Sequence, residues 1–488
     1  FLAIATIGFQ ANLVGFASNI TGITGNNGVY NINPSQTSGT TGYRQYTNFT
    51  LDNGHTANLI FNGINRFINA VDNKVTINGI LNSVNGSGAF ANGRAIFVSP
   101  RGFVVGSSGV VNVGSLGVYT PTLAAYNSFK NLSLDQMSDA LLNGYGLVGD
   151  GNITIDGMIL TREGITLNSP SVKISDNAKM AHGFKSNNSQ YSQDTIAQYS
   201  QLDVQNARNN AGKLFELIVN GGKNNFNSSD IDFSAQNGNV AINTGSSYNF
   251  NNATMVANGN VDIKTNNMVT QDTSNMLDYN RIHELGGKTY VANDYNFESI
   301  VKDTFVNREG ETASGRATIK VTGEINAKNI SIKNKISDDV VAKLNDWKHN
   351  SSSNMHVLEN SKLNATNSIN LENDGLQMIV VGDLNLDNYN NVAGAGINII
   401  NNSVFGGRGG GTFGTYIDGN ITVNNGDLNV ITNFKGPNTS ASSIGFDKNS
   451  NINVTNGNVY ISMADNFMND AKSGYGGIYL LGNTINIK

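Results

Sequence analysis

The sequence predicts an all-β fold, a parallel β-helix or solenoid in which short strands wind around a common axis in stacked coils, with a few peripheral helices and extra-helical hairpins. Blocks of roughly four to six alternating apolar and polar residues recur along the chain. Turns of Asn and Gly separate them, and the 488 residues include 55 Gly and about 80 Asn. Related blocks return after 21 residues, from Asn237 to Asn258, and after 31, from Asn425 to Asn456. Such recurrence is typical of solenoids.

Each block reads as a half-buried strand. In the first clear example Val75 and Ile77 point to one face while Thr76 and Asn78 point to the other, the period-two pattern of a strand with one face in the core. Similar blocks lie at residues 151–160, 164–169, 171–177, 237–243, 258–264, 323–334, 368–373, 382–388, 419–432, 450–462 and 482–488.

Residues 93–116 hold three apolar runs, separated by Pro100-Arg101-Gly102 and by a Gly-Ser-Ser-Gly turn. Strands spaced so closely either form antiparallel hairpins or are successive sides of one coil, whose parallel neighbour lies about 20 residues further along the chain. We expect the coil, with the two turns at its corners. Asn suits such corners because it tolerates left-handed backbone, and equivalent Asn side chains can stack into ladders. A β-sandwich is the alternative, although 488 residues would need several sandwiches and no linker separates them.

Three segments break the strand pattern and predict helices on the outside of the coils: residues 132–144, 192–222 and 337–350. They have few turn residues and apolar residues at helical spacing. The last offers Ser337 as an N-cap, followed by acidic residues in the first turn. Trp347 in this segment is expected to dock the helix onto the coils.

Composition excludes several classes of function. The net charge is -5 without a run of Lys or Arg, so nothing predicts a nucleic-acid partner. The chain has no Cys, which excludes disulfides, thiolate metal sites and Cys nucleophiles and is compatible with export in an unfolded state. Residues 1–17 are apolar and uncharged, and we interpret them as the remnant of a signal peptide or as an N-terminal cap of the fold.

The segments 43–61, 75–88 and 95–122 resemble the amino-terminal secretion domain of two-partner secretion exoproteins, the filamentous-haemagglutinin-like family. That family has an aromatic stretch ending in Ala-Asn, an Ile-Asn-Gly segment, and Asn-Pro-Asn-Gly-Ile followed by a Val-Gly-Ser-Leu element. The site residues carried over from these motifs are Tyr43, Tyr46, Phe49, Asn58, Ser99, Pro100, Arg101, Gly102 and Phe103. Ser99 and Arg101 replace the two Asn of the family motif, and the family's Asn-Pro-Asn-Leu motif has no clear copy.

The resemblance covers residues 20–160 and implies a secreted or surface-exposed, adhesin-like protein of a Gram-negative bacterium. Such proteins cross the periplasm, are captured by periplasmic domains of an outer-membrane β-barrel transporter, and fold outside as a right-handed β-helix. The resemblance further implies a host-cell or bacterial surface receptor, and exposed strand edges at the ends of the stack allow filamentous self-assembly. We divide the chain into the secretion domain, residues 18–300, and a β-helical shaft with a helical insertion, residues 301–488. A pore-forming or contact-dependent toxin carried on the same shaft is an alternative.

A carbohydrate-active β-helix enzyme is the weaker alternative. Residues 181–183, residues 281–283 and the pair Asp338-Asp339 look like fragments of galacturonan hydrolases, but their order in the chain differs and the Asp pair falls on a predicted helix. We therefore expect no catalytic residues. The glycine-rich residues 406–414 lack a phosphate-binding Lys and indicate a corner. No metal or cofactor is predicted, because the His residues form no ligand motif and are expected in solvated turns: His55, His182, His283, His349 and His356.

Overall fold

Alternating residues become short strands in the computed structural model, which is mostly β, with three short helices and further helical residues at 208–209, 211–213 and 215–216 in its described part. The structure describes residues 18–143, 149, 151–183, 185–186, 208–209, 211–213, 215–216, 231–232, 238–245, 247–250, 252–267, 280–306, 312–314, 316–343, 353–403, 413–435, 443–463, 477–481 and 484–487.

The strands align in three long ladders of parallel pairs, which we name in the order in which the chain visits them. The first ladder contains Val29–Ile32, Thr56–Ile60, Ile80–Val84, Lys179–His182, Thr254–Ala257, Thr289–Val291, Asp383–Asp387, Asn420–Asn424, Asn451–Thr455 and Thr484–Ile487. The second contains Thr41–Tyr46, Arg66–Val71, Arg94–Val98, Asn239–Thr244, Val261–Asn267, Asp294–Val301, Gly396–Ser403, Asp427–Phe434 and Val459–Met463. The third contains Phe49–Leu51, Val75–Ile77, Phe103–Val105, Asn152–Ile155, Ser171–Ile174, Tyr248–Phe250, Asn280–Leu285, Arg316–Val321, Asn354–Val357, Gln377–Val380, Phe413–Ile417, Ser443–Phe446 and Ile478–Leu480.

Long strands join the first ladder to the second, because their first halves pair in one and their second halves in the other. They are Val110–Tyr119, Met158–Ser169, Glu324–Ile336 and Lys362–Asn373. The chain visits first, second and third ladder in this order and then begins again, and we call one such passage a circuit.

The segment 93–116 shows one circuit clearly. Arg94–Val98 lies in the second ladder, Phe103–Val105 in the third, and Val110–Tyr119 begins the next passage through the first. The two turns between them join strands of different ladders. Because the ladder partners are parallel and lie in successive circuits, the antiparallel face-to-face sheets of the alternative sandwich are absent from the described residues.

A few antiparallel pairs lie outside this pattern. Asn19–Ile20 pairs with Phe49–Leu51, and Gln36–Ser38 forms a hairpin with Thr41–Tyr46, so two ladders have covered edges at the N-terminal end. Further pairs join Lys185–Ser186 to Ile231–Asp232 and Thr304–Val306 to Thr312–Ser314.

One continuous apolar core runs through the circuits, from Ile20 to Val454. Each strand contributes its alternate residues: Val75 and Ile77 are fully buried, whereas Thr76 between them is half-buried. The alternate residues of successive strands therefore share one apolar core.

Asparagine contributes to the stack in both predicted ways. Asn425 and Asn456 have left-handed φ values of 58° and 54° at equivalent corners, and the Asn456 side-chain amide donates to Asn425 Oδ1 at 2.9 Å. The backbone amide of Asn260 donates to Asn239 Oδ1 at 2.8 Å. These pairs reproduce the 31- and 21-residue offsets seen in the sequence.

The helices are α1, Leu123–Lys130, α2, Leu134–Leu142, and α3, Asp338–Lys343. The last two were predicted, although α3 is short and Trp347 lies outside the described residues. In the predicted segment 192–222, the described residues 208–209, 211–213 and 215–216 are helical, and the remainder lies outside the described part. No described helix has the length and apolar character needed to cross a membrane.

Candidate functional site

The residues singled out by the sequence come together in the N-terminal circuits, between the strands Thr41–Tyr46 and Phe103–Val105. Parallel pairing stacks these strands directly on one another. Tyr43 lies opposite Ile68, Phe49 opposite Val75, and Phe103 opposite Val75 from the other side. The motif is therefore spatially continuous.

Three of its aromatic residues lie in the core. The ring of Tyr46 meets Phe49 edge-on at 5.3 Å, Phe49 meets Phe97 edge-on at 5.3 Å, and Phe97 contacts Phe103 at 5.4 Å. The Tyr46 hydroxyl donates to Asn69 Oδ1 at 2.9 Å, and burial raises the pKa of Tyr46 well above its usual range. These side chains therefore hold adjacent circuits together and present no surface to a partner.

Ser99 to Gly102 form the corner between the second and third ladders. Ser99 Oγ donates to the Asn73 carbonyl of the preceding circuit at 2.8 Å and accepts from the Arg101 backbone amide at 3.2 Å. Pro100 is buried, whereas Arg101 is exposed. Ser99 thus ties this corner to the preceding circuit.

Gly102 is required by the geometry of this corner. Its φ of 106° is a conformation that residues with a side chain rarely adopt, and a Cβ here would lie 2.6 Å from the Asn152 carbonyl oxygen of the next circuit. Its own carbonyl accepts from the Val75 amide at 3.0 Å. Any larger residue would push two circuits apart.

Asn58 belongs to a row of hydrogen-bonded Asn side chains on the first ladder of strands. Its amide donates to Asn31 Oδ1 at 3.0 Å, and it accepts from the Asn82 amide at 3.2 Å. Asn112 continues the row with a 3.1 Å bond to Asn82. Asn58 is 1% exposed and has a structural position in the stack.

Tyr43 points away from the axial core into a second apolar cluster, beneath α1 and α2. Tyr126 and Lys130 of α1 both contact Asp72 Oδ1 at 3.0 Å, which anchors the helix to the second ladder. Burial, together with the Asp72 charge, raises the pKa of Tyr43 to about 12. Sequence reasoning missed α1, although Thr122 after Pro121 is an N-cap signal and its hydroxyl accepts from the Ala125 amide.

Arg101 is the exposed member of the nine site residues, and the others are buried or are fixed by their neighbours. The motif can therefore act through the shape and order of the circuits, with Arg101 and the outer faces of α1 and α2 as the surfaces available to a partner.

The prediction that the described His residues lie in solvated turns was wrong for three of them, because His182, His283 and His356 all lie on strands. His182 and His283 are on strands and are fully buried. The backbone amide of Tyr248 donates to His283 Nδ1 at 3.1 Å, and His283 Nε2 donates to Asn267 Oδ1 at the same distance. Burial lowers the pKa of both rings to about 3. His349 lies outside the described residues.

The acidic pair Asp338-Asp339 begins α3, as predicted. The ammonium of Lys435 contacts Asp338 Oδ1 at 3.0 Å and the buried Asp374 Oδ2 at 2.9 Å. Within the described residues no group of three or more His, Asp or Glu has the arrangement of a metal site. The glycine-rich residues 406–412 lie outside the described part.

No known family model matches the chain, and no curated protein matches it.

Proposed function

We propose that the chain is a secreted or surface-exposed, adhesin-like exoprotein, whose N-terminal circuits direct export through an outer-membrane β-barrel and start the folding of a right-handed parallel β-helix. The order of the ladders supports this fold: each circuit pairs in parallel with the circuits before and after it. A shaft of this kind presents long lateral faces, which suits contact with a receptor on another cell.

The observation that carries the proposal is the way in which the N-terminal circuits pack on one another and on their helices. The residues that resemble the secretion motif form a stacked block with covered edges, an anchored helix pair and a corner that only glycine fits. Such a block can fold first and then offer its free face to later circuits. Sequential burial would bias a chain that emerges from a transporter toward the outside.

The experiment is a secretion assay in a Gram-negative host that expresses the full chain with the outer-membrane barrel encoded beside its gene. Deletion of residues 43–105 should leave the protein in the periplasm. Arg101→Ala should lower export without changing thermal stability if this side chain contacts the transporter. Gly102→Val should lower both.

Lys173→Ala is the matched control for Arg101, because Lys173 is an exposed cation on the third ladder outside the motif. Its export should equal that of the unchanged protein. Normal export of the deletion variant, or the absence of a barrel gene beside this one, would contradict the proposal.

A further inference from the structure

A groove of about 500 Å³ lies on the outer face of the second ladder and is lined by none of the nine site residues above. Its walls carry side chains of three kinds: cationic, acidic and neutral polar. They include Arg66, Arg94, Ser115, Glu163, Thr166 and Asn239.

Register brings the two arginines side by side. Arg66 and Arg94 are Cα partners in neighbouring parallel strands, and Ser115, Gly164 and Asn239 continue the same row. Neighbouring strands are about 4.8 Å apart, so the two cations leave the same face at adjacent positions. Like charges placed this way repel each other unless an anion lies between them.

The described residues provide no such anion. Arg94 Nη2 makes only long bonds to neutral oxygens, 3.4 Å to the Tyr119 hydroxyl and 3.5 Å to Thr166 Oγ1. No described carboxylate forms an ion pair with Arg66 or Arg94. Glu163 faces the same groove, but it accepts instead from the Asn92 side-chain amide at 2.8 Å.

Small residues in neighbouring rows make the groove deep enough for a ligand. A Cβ on Gly117 would lie 3.5 Å from Arg94 Nη2, so the Arg94 guanidinium lies close against the backbone there. Gly164 and Ala241 also line the groove. Longer side chains at these positions would fill the space between the arginines and Asn239.

We propose that this groove binds a sugar acid, a saccharide that carries one carboxylate per residue. Guanidinium groups pair with carboxylates through two parallel hydrogen bonds. Thr166 and the amides of Asn65 and Asn239 offer donors and acceptors to sugar hydroxyls. Glu163 and the net charge of -5 oppose a densely charged polyanion, such as a nucleic acid or a heavily sulfated glycan.

A purely structural role for the arginines makes a different prediction. Both also line a small cavity with Ser138, Leu141 and Leu142 at the C-terminal end of α2, where cations are favourable. In that case their loss would lower stability and leave ligand binding unchanged. Measuring both quantities on the same variants separates the two roles.

The test is titration calorimetry of the purified full chain with sodium glucuronate at low salt, with glucuronate methyl ester and sodium acetate as probes. Glucuronate should bind more tightly than either one, because the ester lacks the charge and acetate lacks the hydroxyls. Arg66→Gln and Arg94→Gln should each weaken binding by about tenfold or more, the loss expected for a charged hydrogen bond. Arg94→Lys should bind with intermediate affinity.

Two further variants keep the test decisive if an arginine variant unfolds. Glu163→Gln removes an exposed acid and should strengthen glucuronate binding, whereas Lys173→Gln removes a distant cation and should change nothing. The proposal is overturned by no binding at millimolar glucuronate, by equal binding of ester or acetate, or by weaker binding to Glu163→Gln. The sugar-acid proposal rests on the proposed function, because it names the class of receptor that the adhesin would bind. The calorimetric assay does not depend on secretion, so glucuronate binding and export can each fail without the other.

Discussion

Asn58 belongs to a row of Asn side chains whose hydrogen bonds all have the same orientation along the stack. In the row Asn31, Asn58, Asn82 and Asn112, each amide donates to the oxygen of the residue one circuit earlier. The interior members are buried and need both a donor and an acceptor, whereas Asn31 at the start of the row is exposed and only accepts from the row. Substitution by Asp, which has no donor when ionised, should therefore be costly at the interior positions of the row and nearly neutral at Asn31.

Asn58→Asp should destabilise the fold by about 2–4 kcal/mol, since it buries a carboxylate against the Asn31 oxygen. Asn31→Asp is the matched control: it keeps the acceptor for Asn58 at a solvated position, so its stability should change by less than about 0.5 kcal/mol. Urea denaturation of both variants provides the measurement. Equal losses of stability for the two variants would show that the hydrogen bonds of the row do not have this orientation.

The element α3 is tied to the circuits by the burial of Val340 and by one lysine. Lys435 Nζ bridges the exposed Asp338 and the buried Asp374 and donates to the Ile336 carbonyl at 3.1 Å. Asp374 is 1% exposed, and its carboxylate also accepts from the Ile336 amide and the Asn402 side chain. The buried carboxylate thus depends on Lys435 for its nearest positive charge.

Lys435→Met should cost about 2–4 kcal/mol, because it leaves the Asp374 charge buried without its partner. Asp338→Asn, the control at the exposed end of the same bridge, should cost less than about 1 kcal/mol. Thermal unfolding of both variants at neutral pH measures the difference. A small effect of Lys435→Met would mean that the amides around Asp374 are sufficient to stabilise it.

Local sequence patterns predicted the individual elements but did not predict which elements contact one another. The alternation around Val75, the corner at Gly102 and the capped helix α2 are encoded in a few adjacent residues, and the structure confirms them. The pairing of Arg66 with Arg94 depends instead on the number of residues in a circuit, which varies with every insertion. The contacts of His283 depend on the same register, because Tyr248 of the preceding circuit and Asn267 of its own circuit supply its partners. No short sequence motif predicts either contact.

At the scale of the whole molecule, the parallel pairs of the ladders join strands of successive circuits, so many contacts of the described residues run between neighbouring circuits. The two buried histidines, His182 and His283, lie on strands of different circuits. The hydrogen bonds of the two rings go to different residues, so their effects on the free energy of unfolding should add.

Stability should fall as the pH is lowered through 6.5. Burial holds the pKa of His182 and His283 at about 3, whereas the ordinary value is 6.5, so between these limits the unfolded chain binds protons that the folded chain does not. Their contribution is complete above pH 6.5 and decreases toward pH 3, by about 1.4 kcal/mol per pH unit for each ring.

The slope can be assigned to one ring by mutation. His182→Leu should make the decline of stability between pH 6 and pH 4 shallower by about 1.4 kcal/mol per unit, because one titrating group is gone. Thr161→Val removes the hydroxyl 3.0 Å from His182 Nδ1 and leaves the ring in place, so it should lower stability at every pH without changing the slope. Urea denaturation across this pH range measures both. If His182→Leu kept the original slope, the ring would already be charged inside the fold, and the assigned burial of this strand would be wrong.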